Sequence, residues 1–215
     1  MPWQVQMTGL LTLVRHGRTA HNAAGRFQGW TDVALDEQGH AQAQALAARL
    51  AAHVVRPTHL YASDLSRTRQ TAAPLGKQLG LPVQTSPALR EINIGTWEGR
   101  TLSELDALDP ARFRAWPLVA APQGESLEAV TGRARTFLDR VALTETDHAV
   151  VVTHGVVITA LLCDLLGWNF EEAWSTRRGL HDNTALTSLR RTGGGVSVEV
   201  LACGAHLATL TVAAS

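Results

Sequence analysis

Arg15-His16-Gly17 and Thr153-His154-Gly155 each close a short apolar run, Leu10–Val14 in the first case and Ala149–Val152 in the second. An apolar run of that length reads as a buried strand, and the glycine behind each histidine opens a tight turn whose backbone N–H groups can face an anion. Two imidazoles and a guanidinium would then stand together at strand ends. In an open α/β sheet that edge is the usual ligand crevice, so one anion pocket can draw on both ends of the chain. The plainer reading of a His-Gly pair is a turn with a hydrogen-bonded ring, and with nine histidines in the chain the surrounding residues must decide.

The elements that would position these groups follow from periodicity. Asp36 can cap a helix whose positions Gly39, Ala43, Leu46 and Leu50 share one face. A short strand near His59–Ala62 leads through a turn holding Ser63, Asp64 and Arg67 into a helix over Leu65–Leu79, stopped by Gly80 and Pro82. Residues 81–123, with prolines at 82, 87, 110, 117 and 122, read as an excursion from the sheet that covers the site. Helical order returns at Glu125–Val141, and Val156–Leu166 makes a further helix after the second His-Gly pair. Two β-rich runs, Ala185–Leu189 and Val196–Leu201, flank Gly193-Gly194-Gly195 and form either a hairpin or an extension of the sheet. The order β-α-β-α, excursion, α-β-α-β-β predicts a three-layer α/β/α sandwich with a largely parallel central sheet, folded as a single domain over residues 1–215.

Composition excludes several classes. Hydrophobic residues at 45% and charged residues at 18% suit a folded globular chain and not a disordered one. Basic and acidic side chains balance at 19 each, so no overall field draws the protein to nucleic acid or to an anionic membrane; any anion site is local. The pairs Arg177-Arg178 and Arg190-Arg191 are too short for a nucleic-acid stripe and read as solvated surface. Cys163 and Cys203 have no metal-ligand or disulfide spacing, which fits a reducing cytoplasm and predicts no metal site. Met1–Gly9 lacks a basic stretch leading into an apolar core, so secretion is not expected, and His154, Gly155 and Asp164 break the most membrane-like window, Ala149–Leu166.

Five segments, in order along the chain, resemble the histidine phosphatase superfamily, also called phosphoglycerate mutase-like. Leu13 to Asn22 is similar to the family's opening R-H-G-x-T-x-x-N, and Arg26-Phe27-Gln28-Gly29-Trp30 to the segment after it. Ser63 to Ala72 resembles the second-arginine helix, Leu89 to Gly99 the acidic motif, and Val151 to Gly155 the second-histidine motif. The resemblance implies His16 as the nucleophile that forms a phosphohistidine, Glu91 as proton donor and then base for water, and Arg15, Arg67 and His154 as the groups that hold the phosphoryl oxygens. It adds Asn22, Gln28, Gly29 and the Gly155 N–H to the phosphate and substrate contacts, with neither metal nor cofactor. Arg18 and His21 depart from the family pattern near the mouth, where an acidic or amide residue and an aromatic are common.

The physical chemistry agrees: phosphoryl transfer is catalysed mainly by positioning and by cations or N–H donors fixed around three oxygens, and arginine's planar fork binds two of them at once. Each residue also has a plainer reading. Glu91 can pair with Arg90, Arg67 can be a solvated helix residue, and His154 a satisfied buried ring. Trp30, Trp97 and Trp116 are candidates for the mouth, with simple packing as their alternative. Glu91-Ile92-Asn93-Ile94-Gly95 is unlike the mutases' E-R-H-Y-G motif, which favours a phosphatase acting on small phosphomonoesters of a metabolite. A mutase that returns the phosphoryl group, and a noncatalytic phosphate-binding module, are the other readings. Oligomeric state is left open, a homodimer included.

Overall fold

Alternation along the central strands sends side chains to opposite faces and so requires a helical layer on each. In the computed structural model, which describes residues 9–192, 195–208 and 210, this is the arrangement found. The expectations placed on Met1–Thr8 and on Gly193-Gly194 lie outside the described residues.

In chain order the elements are β1 (Leu10–Arg15), α1 (Ala20–Ala23), α2 (Glu37–Ala51), β2 (His59–Ser63), α3 (Ser66–Leu79), β3 (Gln84–Ser86), α4 (Leu102–Leu108), α5 (Pro110–Ala115), α6 (Leu127–Asp139), β4 (His148–Thr153), α7 (Gly155–Leu166), α8 (Phe170–Ser175), β5 (Leu186–Thr192) and β6 (Gly195–Cys203). They form one six-stranded sheet in the order β3-β2-β4-β1-β5-β6. The first four of these run parallel, and β5 is antiparallel to both of its neighbours. The fold is therefore a three-layer α/β/α sandwich with a largely parallel sheet, and the two C-terminal runs are both a hairpin and an extension of the sheet.

Two apolar cores result. Val150 and Val152 of β4 join Val14, Leu46, Ala47, Leu50, Ala72 and Leu75 beneath α2 and α3. Ala149 and Val151 turn the other way, with Leu11, Leu13, Val130, Ala134, Leu138, Val157 and Leu161, against α6 and α7. All six residues of β4 are buried, as a strand covered on both faces must be.

Three local differences from the periodicity have physical causes. The segment expected to leave the sheet at residue 81 first adds β3, a three-residue edge strand too short to give an alternation signal. The polar loop after β1 contains the single turn α1, closed by a capping box between Thr19 and Asn22. A short helix, α8, follows α7 after Gly167, whose φ of +67° ends α7 in the left-handed conformation glycine favours.

Gly39 explains how α2 reaches the loop after β1. A Cβ at Gly39 would stand 2.0 Å from the Arg18 carbonyl oxygen, and one at Gly17 would stand 2.7 Å from the Gly39 carbonyl oxygen. Helix backbone and loop backbone therefore touch directly, which fixes the turn carrying His16. In the first turn of α2, propensity alone would make Gly39→Ala stabilising, by up to about 1 kcal/mol. The close approach reverses the sign: we expect Gly39→Ala to lower stability by ~1–3 kcal/mol, as overpacking does. A urea midpoint at or above wild type would show that the loop yields without strain.

Candidate active site

Strand register turns the repeated His-Gly pairs into neighbours. Val14 pairs with Val152 and Arg15 with Thr153 in the parallel β1–β4 ladder, so His16 and His154 are the next step of the same register. Their ring centroids are 5.3 Å apart with planes inclined at 58°. The His16 N–H continues the ladder, donating to the Thr153 carbonyl at 3.0 Å.

The His16 ring has a defined tautomer. Nδ1 lies 2.7 Å from the Gly17 carbonyl oxygen, an atom that can only accept, so Nδ1 carries the proton and Nε2 keeps its lone pair. Burial, then the Arg67 and Arg15 charges, hold the ring well below its ordinary pKa of 6.5 and so neutral. His154 has the opposite tautomer: Arg67 Nε donates to its Nδ1 at 3.3 Å, which leaves the proton on Nε2. That N–H is buried and finds no acceptor among the described residues. His154 is likewise lowered well below 6.5, chiefly by burial and the Arg67 charge.

Arg67, on the first turn of α3, is completely buried. Its guanidinium donates to the carbonyls of Thr31 at 2.9 Å and Gly29 at 2.8 Å, and burial lowers its pKa to about 10. The reading of Arg67 as a solvated helix residue is thereby corrected. Arg15 donates through Nη1 to the His181 carbonyl at 2.6 Å, while its Nε is buried with no partner among the described residues.

Glu91 does not pair with Arg90, which instead grips Asp64 through two bonds of 2.7 and 2.6 Å. The Glu91 carboxylate accepts from the N–H of Ile92 at 3.0 Å and of Val156 at 3.4 Å. Burial raises its pKa from the ordinary carboxylate value, against the opposing pull of those N–H groups and of Arg67 and Arg15. Its own carbonyl receives Trp30 Nε1 at 2.7 Å and Arg133 at 2.9 Å, so the residue is held by its backbone and its side chain is left to the pocket.

Arg15, His16, Arg67, Glu91, Asn22, Gln28, Gly29 and Gly155 all line one cavity of about 390 Å³. His154 lies behind this wall, fully buried between Arg67 and His16. Asn22 Oδ1 accepts from Thr19 Oγ1 and from Asn183, which also donates to the His16 carbonyl at 3.0 Å. Gln28 accepts from Thr19 at 3.0 Å. Gly155 opens α7, and the space beside it is flanked by Arg15 Nε and Glu91 Oε2, each 3.9 Å from where its Cβ would stand. The positive end of the helix, an unused guanidinium nitrogen and a carboxyl group thus converge on one point.

Sequence reading missed the supports. The carbonyls of Gly29, Thr31 and His181 carry no side-chain signal. Nor does Glu98, which takes the Trp30 N–H at 2.7 Å and the Thr31 hydroxyl, and so fixes the loop that presents two of those carbonyls. Of the three tryptophans considered for the mouth, Trp116 lines the cavity, Trp97 is fully buried, and Trp30 is exposed with Arg90 stacked 5.0 Å from its ring. Trp174 and Arg177, from α8 and the turn after it, complete the wall.

Residues 11–204 match the family model of the histidine phosphatase superfamily, branch 1. The chain is 40% identical over 162 residues to the Probable phosphoglycerate mutase GpmB of Erwinia tasmaniensis, covering 72% of this chain and 74% of the relative. It is 38% identical over 168 residues to the glucosyl-3-phosphoglycerate phosphatase of Mycolicibacterium vanbaalenii, covering 73% and 74%. Among solved structures, the mycobacterial glucosyl-3-phosphoglycerate phosphatase complexed with VO3 superposes with a TM-score of 0.82 at 32% identity, over 91% of this chain and all of that one. The chain belongs to the histidine phosphatase superfamily and is a hydrolase of its phosphatase kind. No helix among the described residues is long and apolar enough to cross a membrane.

Gly155→Ala tests the convergence point without disturbing the fold, because the added methyl meets only ordinary contacts at 3.9 Å. We expect unchanged thermal stability and weaker inhibition by inorganic phosphate, by roughly tenfold, as a methyl displaces one oxygen from its donors. Phosphate titration of both proteins reads the effect directly.

Proposed function

We propose that this protein hydrolyses small phosphomonoesters through a phosphohistidine on His16. The observation that carries the reading is the His16 tautomer: a neutral imidazole with its proton held on Nδ1 by the Gly17 carbonyl, and its Nε2 lone pair free beside two arginines.

In this reading the phosphoryl oxygens occupy the space beside Gly155. Arg15 Nε, His154 Nε2, the unshared guanidinium hydrogens of Arg67 and the α7 N-terminus neutralise them, with the Asn22 amide and Gln28 at the rim. Nε2 of His16 attacks phosphorus as the ester P–O bond breaks, and Glu91, whose protonated form burial favours, delivers its proton to the leaving oxygen. The resulting carboxylate takes a proton from a water molecule, the hydroxide attacks phosphorus, and the P–N bond breaks to return neutral His16 and free phosphate. The arginines supply the charge, so the scheme uses neither metal nor cofactor.

The finer assignments follow the same line. One family model and one sheet support a single domain over residues 1–215. The free thiols Cys163 and Cys203 suit a reducing, cytoplasmic setting. A small phosphorylated metabolite is the partner, and the relatives' names point to phosphoglycerate derivatives and phosphoserine as the kind of ester to try first.

Rapid quenching with labelled substrate should trap an acid-labile, alkali-stable phosphoenzyme, absent from His16→Ala. Persistence of that species in the variant would remove His16 from the nucleophile's role. Appearance of free phosphate, rather than an isomerised ester, separates hydrolysis from the mutase alternative.

The pH dependence follows from the two shifts. Phosphorylation needs Glu91 protonated and His16 neutral, so the single-turnover rate on an alkyl phosphate falls as pH rises through the raised Glu91 pKa. Towards acid it is sustained until pH is well under 6.5, where His16 begins to take a proton. Glu91→Gln should slow that step by roughly 10²–10⁴-fold and flatten its alkaline limb, while slowing p-nitrophenyl phosphate much less because its phenolate leaves unaided. Equal losses on both esters would mean that Glu91 only positions.

A further inference from the structure

The pair Arg177-Arg178, read from the sequence as solvated surface, sits where two cavities meet. The catalytic cavity of about 390 Å³ and a neighbouring one of about 290 Å³ share Trp174, Arg177 and Leu180 in their walls. Arg178, Thr159 and Ala173 complete the second chamber, and the Arg178 guanidinium is stacked 3.9 Å from the centroid of Trp168.

The charge distribution along this path is uneven. Four arginines line the catalytic cavity, Arg15, Arg26, Arg67 and Arg177, against one carboxylate, Glu91. Arg15 and Arg67 serve the phosphoryl group, and Arg26 is engaged by the Gly99 carbonyl at 2.7 Å and by Glu104 at 3.5 Å. The Arg177 guanidinium has no hydrogen-bond or ion-pair partner among the described residues, and Arg178 is stacked on the Trp168 face.

The backbone holds Arg177 there at some cost. Its φ is +58°, a left-handed conformation that side chains other than glycine rarely adopt, and Gly179 follows at +75°. A Cβ at Gly179 would approach Leu162 to 3.1 Å, so the turn is packed tightly against α7 and cannot relax easily. The cavity wall that Arg177 shares is aromatic, with Phe27, Trp116 and Trp174 packed edge to face at 5.2 and 5.5 Å. The buried indole N–H of Trp116 lacks an acceptor among the described residues.

We propose that Arg177, backed by Arg178, is a specificity-determining subsite for a second anionic group on the substrate, carboxylate or phosphate, at the end remote from the ester. The inference deepens the phosphatase reading and rests on it for the position of the phosphoryl end. A guanidinium without a partner attracts such a group in either form, because its planar fork gives two parallel charge-assisted bonds. The aromatic wall covers the carbon chain between the two charges, so the site selects esters of doubly anionic, short-chain metabolites over neutral alcohols' phosphates.

The test uses matched pairs that differ in one terminal group: 3-phosphoglycerate against glycerol 3-phosphate, and 6-phosphogluconate against sorbitol 6-phosphate, with a hexitol 1,6-bisphosphate as the phosphate arm. Wild type should favour an anionic member of the set in kcat/KM by roughly 10- to 100-fold, the worth of charge-assisted hydrogen bonds, and Arg177→Gln should abolish most of that ratio. A merely structural role would lower both members of a pair together and leave the ratio in place. The carboxylate and bisphosphate arms show which anion the subsite takes. The same ratio, read as Kd by calorimetry on His16→Ala, does not depend on turnover, so a failure to release phosphate counts against the phosphatase reading alone. Less than about a fivefold preference for every anionic probe, or a preference that Arg177→Gln leaves intact, overturns the subsite.

Discussion

Two guanidinium groups withdrawn from water beside two neutral imidazoles set the terms for this structure. A buried cation is costly unless most of its N–H groups find acceptors, and here these are mostly backbone carbonyls: Thr31 and Gly29 for Arg67, His181 for Arg15. Carbonyls cannot move independently of the chain, so the loop carrying Gly29 and Thr31 and the loop carrying His181 must both be held in register with the sheet. The Gly29 turn illustrates the demand. Its φ is +53°, and a Cβ there would run into Glu98 and Ile94 at 2.5 and 2.6 Å, so glycine alone lets the loop lie against the acidic segment and aim its carbonyl at Arg67.

That electrostatic arrangement gives similar groups different tasks. Burial raises the Glu91 carboxyl while the nearby arginines pull it down, and burial prevails, which favours the protonated acid. For His16 both effects act in one direction, since burial and the arginine charges each disfavour an imidazolium. The cavity therefore favours the protonated form of its acid and the neutral form of its base. The hydrogen bond from Nδ1 to Gly17 then decides which nitrogen of the base is available.

Much of this was legible because the relevant signals are local. The run Leu10–Val14, the Asp36 cap, and the Gly80 stop each specify an element within a few residues, and the structure has β1, α2 and α3 in those places with ends moved by a residue or so. The strand β3 was not legible: three residues on a sheet edge, exposed or half-buried, carry no alternation and are paired only because β2 offers them a partner. The carbonyl supports were equally invisible, since every residue has a carbonyl and only the folded chain shows where it points. The sequence alone marks Arg177-Arg178 as solvated surface, and both residues are exposed, but exposure at a cavity wall differs from exposure on a convex face.

The sequence by itself determined the layered α/β class, the two His-Gly turns at strand ends, and the identity of the groups that can handle a phosphoryl ester, because periodicity, turn chemistry and functional side chains are written residue by residue. Tertiary structure alone decided that Arg15 pairs in register with Thr153 and so sets His16 beside His154, with Arg67 brought in from α3. It also decided the protonation of each group, because a pKa depends on which charges and how little water surround it. Residues far apart along the chain set those surroundings, and no local pattern encodes their distance.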